Sequence, residues 1–320
     1  MIEDMTSQTA SPARITSHPR LDALEAAARK KGRLKVVVAY PCSEDSLAAA
    51  LTAWDEGMID PILVGPRARI EACASRLNAS LDGIRLVETD DDPVDCSRKA
   101  TALAIAEEAG AIMKGSQHTD ELLGAVVTRE ANLRTSRRMS HVFWFDVPAY
   151  HKPLIVTDAV VNIAPTLQSK IDILANAIDF ARALGIATPK VALLSAVEVV
   201  NPDLPSSVDA ALLTRMADRG QIRGGIVDGP LAFDNSISAA AAATKGISSP
   251  VAGDPDILMV PNLDVGNMLY KSLTYMAGAA CAGLVIGTRL PVILTSRADS
   301  RRARTASCAL AQLCRLSIGV

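Results

Sequence analysis

Aromatic residues are scarce in this chain: two Trp, four Tyr and four Phe make up 3% of 320 residues, while 49% of the chain is hydrophobic. The core must therefore be assembled from Ala, Val, Ile and Leu. That composition suits buried strands, many of them parallel, covered by Ala-rich helices, and it points to an α/β fold. Histidine is scarcer still, with only His18, His118, His141 and His151. A histidine-based triad or metal site has little to draw on, and no Gly-x-Ser-x-Gly elbow occurs. The six cysteines, Cys42, Cys73, Cys96, Cys281, Cys308 and Cys314, form no C-x-x-C pair and have no histidine at ligand spacing. They read as reduced, mostly buried small residues.

An excess of either charge is missing too. Thirty-three basic residues against 35 acidic ones leave a net charge of −2. That is no electrostatic footprint for nucleic acid or an anionic membrane, so any anionic ligand must be met locally. No run approaches the roughly 18 apolar residues of a membrane span. The first twenty residues are polar, rich in Ser, Thr and Pro, and lack the apolar core of a signal peptide. They are expected to be loosely attached, and the protein to be cytoplasmic. No repeat or later linker is visible, and the length allows two domains joined by short connections.

What the chain does contain is an alternation of strand and helix patterns. A short helix over 21–33 leads to an apolar β-rich run at 34–40. Helix 46–57 follows, with Leu47, Ala50, Leu51 and Trp54 on one face and Gly57 as its stop, and then strand 61–65. This is a βαβ unit, whose crossover is expected to be right-handed. Helix 68–77, a strand near 84–87 and an Ala-rich helix over 95–110 continue the pattern. A short strand at 111–113 then empties into Lys114-Gly115-Ser116, ahead of a helix for which Thr119 is the expected N-cap. A basic loop with hydroxyls suits an anion. Lys114, Ser116, His118 and Thr119 are candidates there, against the alternative of a solvated lysine and a structural histidine. Arg129, Arg134, Arg137 and Arg138 follow no apolar period and read as a solvated face.

After strand 141–145 and a hairpin loop over 146–153, strand 154–157 leads into a polar loop. The clearest helix of the chain comes next, at 167–184, with Leu167, Ile171, Leu174, Ile178, Ala181 and Leu184 on one face and Gly185 as its stop. Strand 190–195, helix 207–219, strand 225–227, helix 237–245, strand 257–260 and helix 266–277 complete the middle of the chain. Each strand ends in a loop holding Asp, Asn or Glu, and a ligand at the carboxyl ends of the strands would meet many of them at once.

Near the C-terminus, residues 283–294 read as one apolar strand that empties into Thr295-Ser296-Arg297-Ala298-Asp299-Ser300. The helix expected over 301–315 has Ala306, Ala309, Leu310 and Leu313 at helical spacing, capped by Asp299 or Ser300. Ser296, Arg297 and the first helical N–H groups would converge on an anion. The competing reading is an ordinary capped helix with a surface arginine.

Five ordered stretches, spread over roughly residues 34–314, resemble the phosphate acetyl/butyryl transferase family. They are Met113-Lys114-Gly115-Ser116-Gln117-His118-Thr119-Asp120-Glu121-Leu122, Thr157-Asp158-Ala159-Val160-Val161-Asn162-Ile163-Ala164-Pro165, Asp228-Gly229-Pro230-Leu231-Ala232-Phe233-Asp234-Asn235, Pro261-Asn262-Leu263-Asp264-Val265-Gly266-Asn267-Met268-Leu269 and Thr295-Ser296-Arg297-Ala298-Asp299-Ser300. The resemblance is greatest to the branch also found fused to enoyl-CoA hydratase. No hydratase portion precedes the stretches here, so the transferase alone is expected.

The resemblance implies reversible conversion of acyl-CoA and phosphate to acyl phosphate and CoA, most plausibly with an acetyl group. No metal and no bound organic cofactor are expected, with CoA serving as substrate. It also implies two doubly wound α/β domains around a cleft, similar to the isocitrate and isopropylmalate dehydrogenases. The first domain would span 1–150 and 290–320, and the second, through which family members form homodimers, 151–289. Arginine forks onto phosphate and stays charged. On this basis Arg297 would bind phosphate or the acyl carbonyl, Ser296 would donate to the thioester region, and Asp299 would manage the thiol proton. Lys114, Ser116, His118 and Thr119, with Asp158, Asn162, Asp234 and Asn235 from the second domain, would bind substrate. In acetyl-specific members the proposed catalytic carboxylate lies further along a Ser-Arg-Gly motif, at a position that falls near Ala303 here. Three alternatives stay open: a phosphate butyryltransferase, a metal- and NAD-dependent hydroxy-acid dehydrogenase drawing on Asp228, Asp234, Asp254 and Asp256, and a non-catalytic CoA-binding protein.

Overall fold

The apolar β-rich runs all enter one mixed sheet in a computed structural model that describes residues 17–107, 109–294 and 300–314. Its strands are β1 (Leu34–Ala39), β2 (Ile59–Gly65), β3 (Arg85–Glu88), β4 (Ala111–Lys114), β5 (Ser140–Asp146), β6 (Leu154–Thr157), β7 (Lys190–Leu194), β8 (Ile226–Leu231), β9 (Ile257–Met259), β10 (Ala280–Ile286) and β11 (Val292–Ile293). They lie in the order β3-β2-β1-β4-β11-β10-β5-β6-β9-β7-β8. Every residue of β4 and β5 is buried, so both faces of the sheet are covered. The covering helices are α1 (Pro19–Arg29), α2 (Glu44–Asp55), α3 (Arg67–Arg76), α4 (Pro93–Ala106), α5 (Thr119–Val126), α6 (Leu167–Ala183), α7 (Pro205–Asp218), α8 (Phe233–Ile237), α9 (Ala239–Thr244), α10 (Leu263–Lys271) and α11 (Arg301–Cys314). Of the face expected on α6, Leu174, Ile178 and Ala181 are buried and Leu167, Ile171 and Leu184 half-buried, while Ile173 and Ala177, which the spacing does not single out, are buried too. All six cysteines are buried, and none is joined in a disulfide.

Strand direction decides where a site can form. β3, β2, β1, β4 and β11 run parallel to one another. The direction then alternates through β10, β5 and β6, each antiparallel to the one before. β9, β7 and β8 continue parallel to β6. Three reversals leave the two parallel sets pointing opposite ways. The loops after β1, β4 and β11 therefore leave one edge of the sheet, and those after β6, β7, β8 and β9 leave the other. The expectation of one shared carboxyl edge is corrected by these antiparallel central strands, a long-range feature that no local pattern carries.

A second correction concerns residues 283–294. They are not one strand but most of a hairpin, β10 and β11, joined at Val285 and Val292. Gly287 turns the chain at φ +86, where a Cβ would sit 2.6 Å from the Arg138 carbonyl oxygen, and the Thr288 hydroxyl closes the turn by donating to Leu290 O at 2.7 Å. The chain thus builds β1 to β4, crosses the middle with β5, builds β6 to β9, and returns through β10 to insert β11 beside β4. The Asp228–Asn235 stretch, expected as a loop, continues β8 to Leu231 and then forms α8. The expectation that the first twenty residues are loosely attached lies outside the described residues for 1–16 and is corrected for Pro19 and Arg20, which open α1, with Arg20 tied to Asp146.

Candidate active site

The strand ends β1, β4 and β11 share one edge. At β4 the chain passes so close to β1 that a Cβ on Gly115 would lie 2.2 Å from the Tyr40 carbonyl oxygen, so only glycine fits. Lys114 is buried, and its Nζ donates to Gly115 O (3.2 Å) and Gln117 O (2.8 Å). The Ser116 hydroxyl donates to Tyr40 O at 3.0 Å. These two candidates hold the loop in shape. His118 is exposed and precedes α5, while Thr119 is its first residue rather than its cap. The backbone N–H of His118 donates to the Glu121 carboxylate at 2.6 Å, which is how the turn closes without a threonine cap.

Ser296, Arg297 and Asp299 lie outside the described residues, but both ends of their stretch are described. Leu294 follows β11 at the same edge, and Ser300 opens α11. Ser300 caps that helix: its Oγ accepts the Ala303 N–H at 3.1 Å. A pocket of about 300 Å³ opens beside Ser300, Arg302 and Ala303. Its other walls are His18 and Leu21 from α1, Ala279, Ala280 and Cys281 at the start of β10, and Tyr270, Thr274 and Tyr275. The last three come from the middle of the chain. α10 and the π-helical turn Ser272–Met276 carry the chain from the end of β9, on the far edge, to the start of β10, on this one. Tyr270 is fixed there by stacking on Phe143 of β5, with ring centroids 4.3 Å apart and planes at 4°.

Sequence reasoning missed these tyrosines, and it also missed two supports under α11. Arg304 is buried, its Nη1 donating to Asp45 O at 2.6 Å, and Arg302 pairs with Asp22 of α1. The start of α1 is in turn held by Asp146 at the tip of β5. That buried carboxylate accepts from the N–H groups of Arg20 (2.9 Å) and Leu21 (3.2 Å) and pairs with the Arg20 guanidinium at 2.7 Å. The one available signal was the pair of acids and arginines in α1 and α11, which spacing alone could not join.

The remaining candidates leave the opposite edge. Asp158 is buried after β6. Its Oδ1 accepts from the N–H groups of Val160 (2.9 Å) and Val161 (3.0 Å), and its Oδ2 accepts from the Asn162 backbone (3.2 Å) and Nδ2 (2.6 Å). Burial pushes this carboxyl above its ordinary value, and those donors pull it back. Asn162 Nδ2 also donates to Met139 O at 2.9 Å, tying the loop to the start of β5. Asn235 is fully buried and donates to Glu198 at 3.2 Å. Exposed Asp234 and Glu198 share the Lys245 ammonium at 3.4 and 3.0 Å. The Asn235 backbone N–H and then Lys245 hold the Asp234 carboxyl below its usual range. Strand direction thus brings Lys114, Ser116, His118, Thr119 and both ends of the 295–299 stretch to one edge, and sends Asp158, Asn162, Asp234 and Asn235 to the other.

The aspartates weighed for a dehydrogenase are otherwise engaged. Lys152 reaches Asp254 (2.9 Å) and Asp256 (2.8 Å), and Lys190 reaches Asp254 (2.7 Å). Among the described residues no group of three or more His, Cys, Asp or Glu is placed to hold a metal ion. His141 is wholly buried, and burial lowers its pKa to about 3, so it stays neutral.

A pocket beside a helix start, at the edge where parallel strands end, is the usual place for a ligand in a doubly wound α/β protein. The family model for phosphate acetyl/butaryl transferase matches residues 93–312, and the chain belongs to that family. A phosphate acetyltransferase of Rhizobium meliloti is 49% identical over 294 residues, covering 92% of this chain and 93% of that protein. A phosphate butyryltransferase of Clostridium acetobutylicum is 41% identical over 285 residues, covering 89% and 94%. Among solved structures, a branched-chain phosphotransacylase from Enterococcus faecalis V583 superposes with a TM-score of 0.77 at 34% identity, over 89% of this chain and 99% of that one. The chain is accordingly an acyltransferase with the doubly wound α/β fold of these relatives.

Proposed function

We propose that this protein is a phosphate acetyltransferase, interconverting acetyl-CoA and phosphate with acetyl phosphate and CoA. The observation that carries this reading is the pocket at Ser300, which joins the first turn of α11 and the start of β10 to Tyr270, Thr274 and Tyr275. Phosphate attack on a thioester needs two anionic groups held close and a donor for the oxyanion that forms. Arg297 supplies a permanent bidentate cation for phosphate or the acyl oxygen, and Ser296 supplies a hydrogen bond to the thioester region. Asp299 takes the thiol proton in the reverse direction, where a desolvated setting has to narrow the gap between a carboxylate and a thiol of ordinary pKa. The apolar wall of Leu21, Ala279, Ala280 and Cys281 offers the acyl group a dry surface. Lys114, Ser116, His118 and Thr119 shape the phosphate side of the same edge. Asp158, Asn162, Asp234 and Asn235, on the far edge, act on substrate only through the elements they hold in place.

In this reading residues 1–150 and 290–320 form one lobe and 151–289 the other. The protein works in the cytoplasm as a homodimer, without a metal or bound organic cofactor, and needs no nucleic acid or membrane. The relatives named for acetyl and for butyryl transfer make the acyl chain the point to test. One methylene is worth about 10- to 200-fold in specificity. Thiol release from acetyl-, propionyl- and butyryl-CoA should depend on added phosphate, with acetyl-CoA giving the highest kcat/KM. Higher kcat/KM with butyryl-CoA would move the assignment to a butyryltransferase, and release with none of them would overturn it.

A further inference from the structure

A cavity of about 820 Å³ lies at the far edge of the sheet, against the carboxyl ends of β7 and β9 and the helices α6, α7 and α10. None of the candidate site residues lines it. At its floor Lys170 of α6 is 6% exposed and pairs with Asp209 of α7 at 2.7 Å. An ammonium carries three N–H donors, and Asp209 takes one. Asn262 accepts the Val265 N–H through Oδ1 at 3.0 Å, which leaves its amide NH₂ as a further donor, and the hydroxyls of Ser195 and Ser206 lie 2.9 Å apart beside it. The walls are aliphatic and aromatic: Leu194, Leu204, Phe233, Val265, Met268 and Leu269. Phe233, Val265 and Met268 are 40%, 40% and 68% exposed, an unusual amount of apolar surface around a buried cation.

A donor-rich floor with one cation under an apolar wall matches a ligand with an anionic head and an aliphatic tail. Asp209 lines the cavity as well and already neutralises the cation, so a ligand head must be held by the remaining N–H donors of Lys170 and the Asn262 amide, and a phosphate dianion beside Asp209 is disfavoured. We propose that this cavity binds a short-chain aliphatic monocarboxylate, its head on Lys170 and Asn262 and its chain along Leu204, Phe233, Val265 and Met268. The site is separate from the pocket at Ser300, and α10 lines both: Val265, Met268 and Leu269 face the cavity, Tyr270 the pocket.

The test is a titration of the full-length protein, labelled with ¹³C at the methionine methyls, with butyrate, hexanoate and, as a cationic control, hexylamine. Met268→Leu assigns the resonance. The Met268 methyl should shift saturably with hexanoate, more weakly with butyrate, and at least about tenfold more weakly with hexylamine. Lys170→Gln should weaken hexanoate binding about tenfold or more. Val265→Trp, made at an exposed rim position that folding tolerates, should abolish the shift by filling the cavity. An unmoved Met268 methyl, equal shifts with hexanoate and hexylamine, or a hexanoate shift that persists in Val265→Trp would each overturn the proposal. Because no turnover is measured, the result is independent of the acetyltransferase reading.

Discussion

Arg297→Gln is expected to lower turnover by about 100- to 1000-fold while the protein stays folded, the loss typical of removing one preorganised donor from a developing oxyanion. Glutamine keeps a planar donor of similar reach but loses the charge and the fork, so the loss measures anion recognition rather than packing. Steady-state rates with acetyl-CoA and phosphate, beside a circular dichroism spectrum, check it. A near-normal rate in a folded variant would remove Arg297 from the chemistry. Asp299 calls for a pair of variants. Since Ser300 already caps α11, capping gives Asp299 no role that Asn could preserve. Asp299→Asn and Asp299→Ala should therefore lose activity alike, by about 100-fold or more if Asp299 takes the thiol proton. Wild-type activity in Asp299→Asn would exclude that role.

The second large effect falls on stability rather than rate. Asp158→Ala removes a buried carboxylate that accepts four hydrogen bonds within the loop after β6. The N–H groups of Val160, Val161 and Asn162 and the Asn162 amide would lose their acceptor where little water reaches, at a cost of about 3–5 kcal/mol. The Asn162 link to Met139 at the start of β5 would loosen with them. A urea unfolding midpoint, converted with the measured slope, reads this directly. A change of less than about 1 kcal/mol would show that the loop repacks or that solvent replaces the carboxylate. A rise in KM without loss of stability would instead return Asp158 to a direct part in substrate binding.

Local physics made most of the elements legible in the sequence. Apolar spacing located α6 and α11, a glycine stop closed α2, and the β-rich runs marked β1, β2 and β7. Four of the five motifs that suggested the family fell at the ends of β4, β6, β8 and β9, and the fifth lies outside the described residues apart from Ser300. What stayed hidden was set by distance along the chain. The hairpin of β10 and β11 reads as one apolar run because both strands are largely buried, and only the short Gly287-Thr288-Arg289 turn and Pro291 interrupt it. The split of the candidates between two edges follows from three antiparallel pairings, and a residue list carries no strand direction. Tyr270 and Thr274 reached the pocket only because α10 and the π-helical turn run from one edge to the other. The pairing of buried Lys170 with half-buried Asp209 was invisible because each residue lies on a different helix.

The late insertion of β11 bears on synthesis. This two-residue strand sits between β4 and β10, so the parallel strands formed first are joined to the rest of the sheet only by residues translated after β5 to β10. Strands β6 to β9 can close on one another as soon as they leave the ribosome. The earlier half must wait, with the flank of β4 unpaired, until Val292 and Ile293 emerge, and long-range closures of this kind are slow and prone to association. A nascent chain stalled before residue 290 therefore presents an open sheet edge. Chaperone contact should peak there rather than at mid-chain.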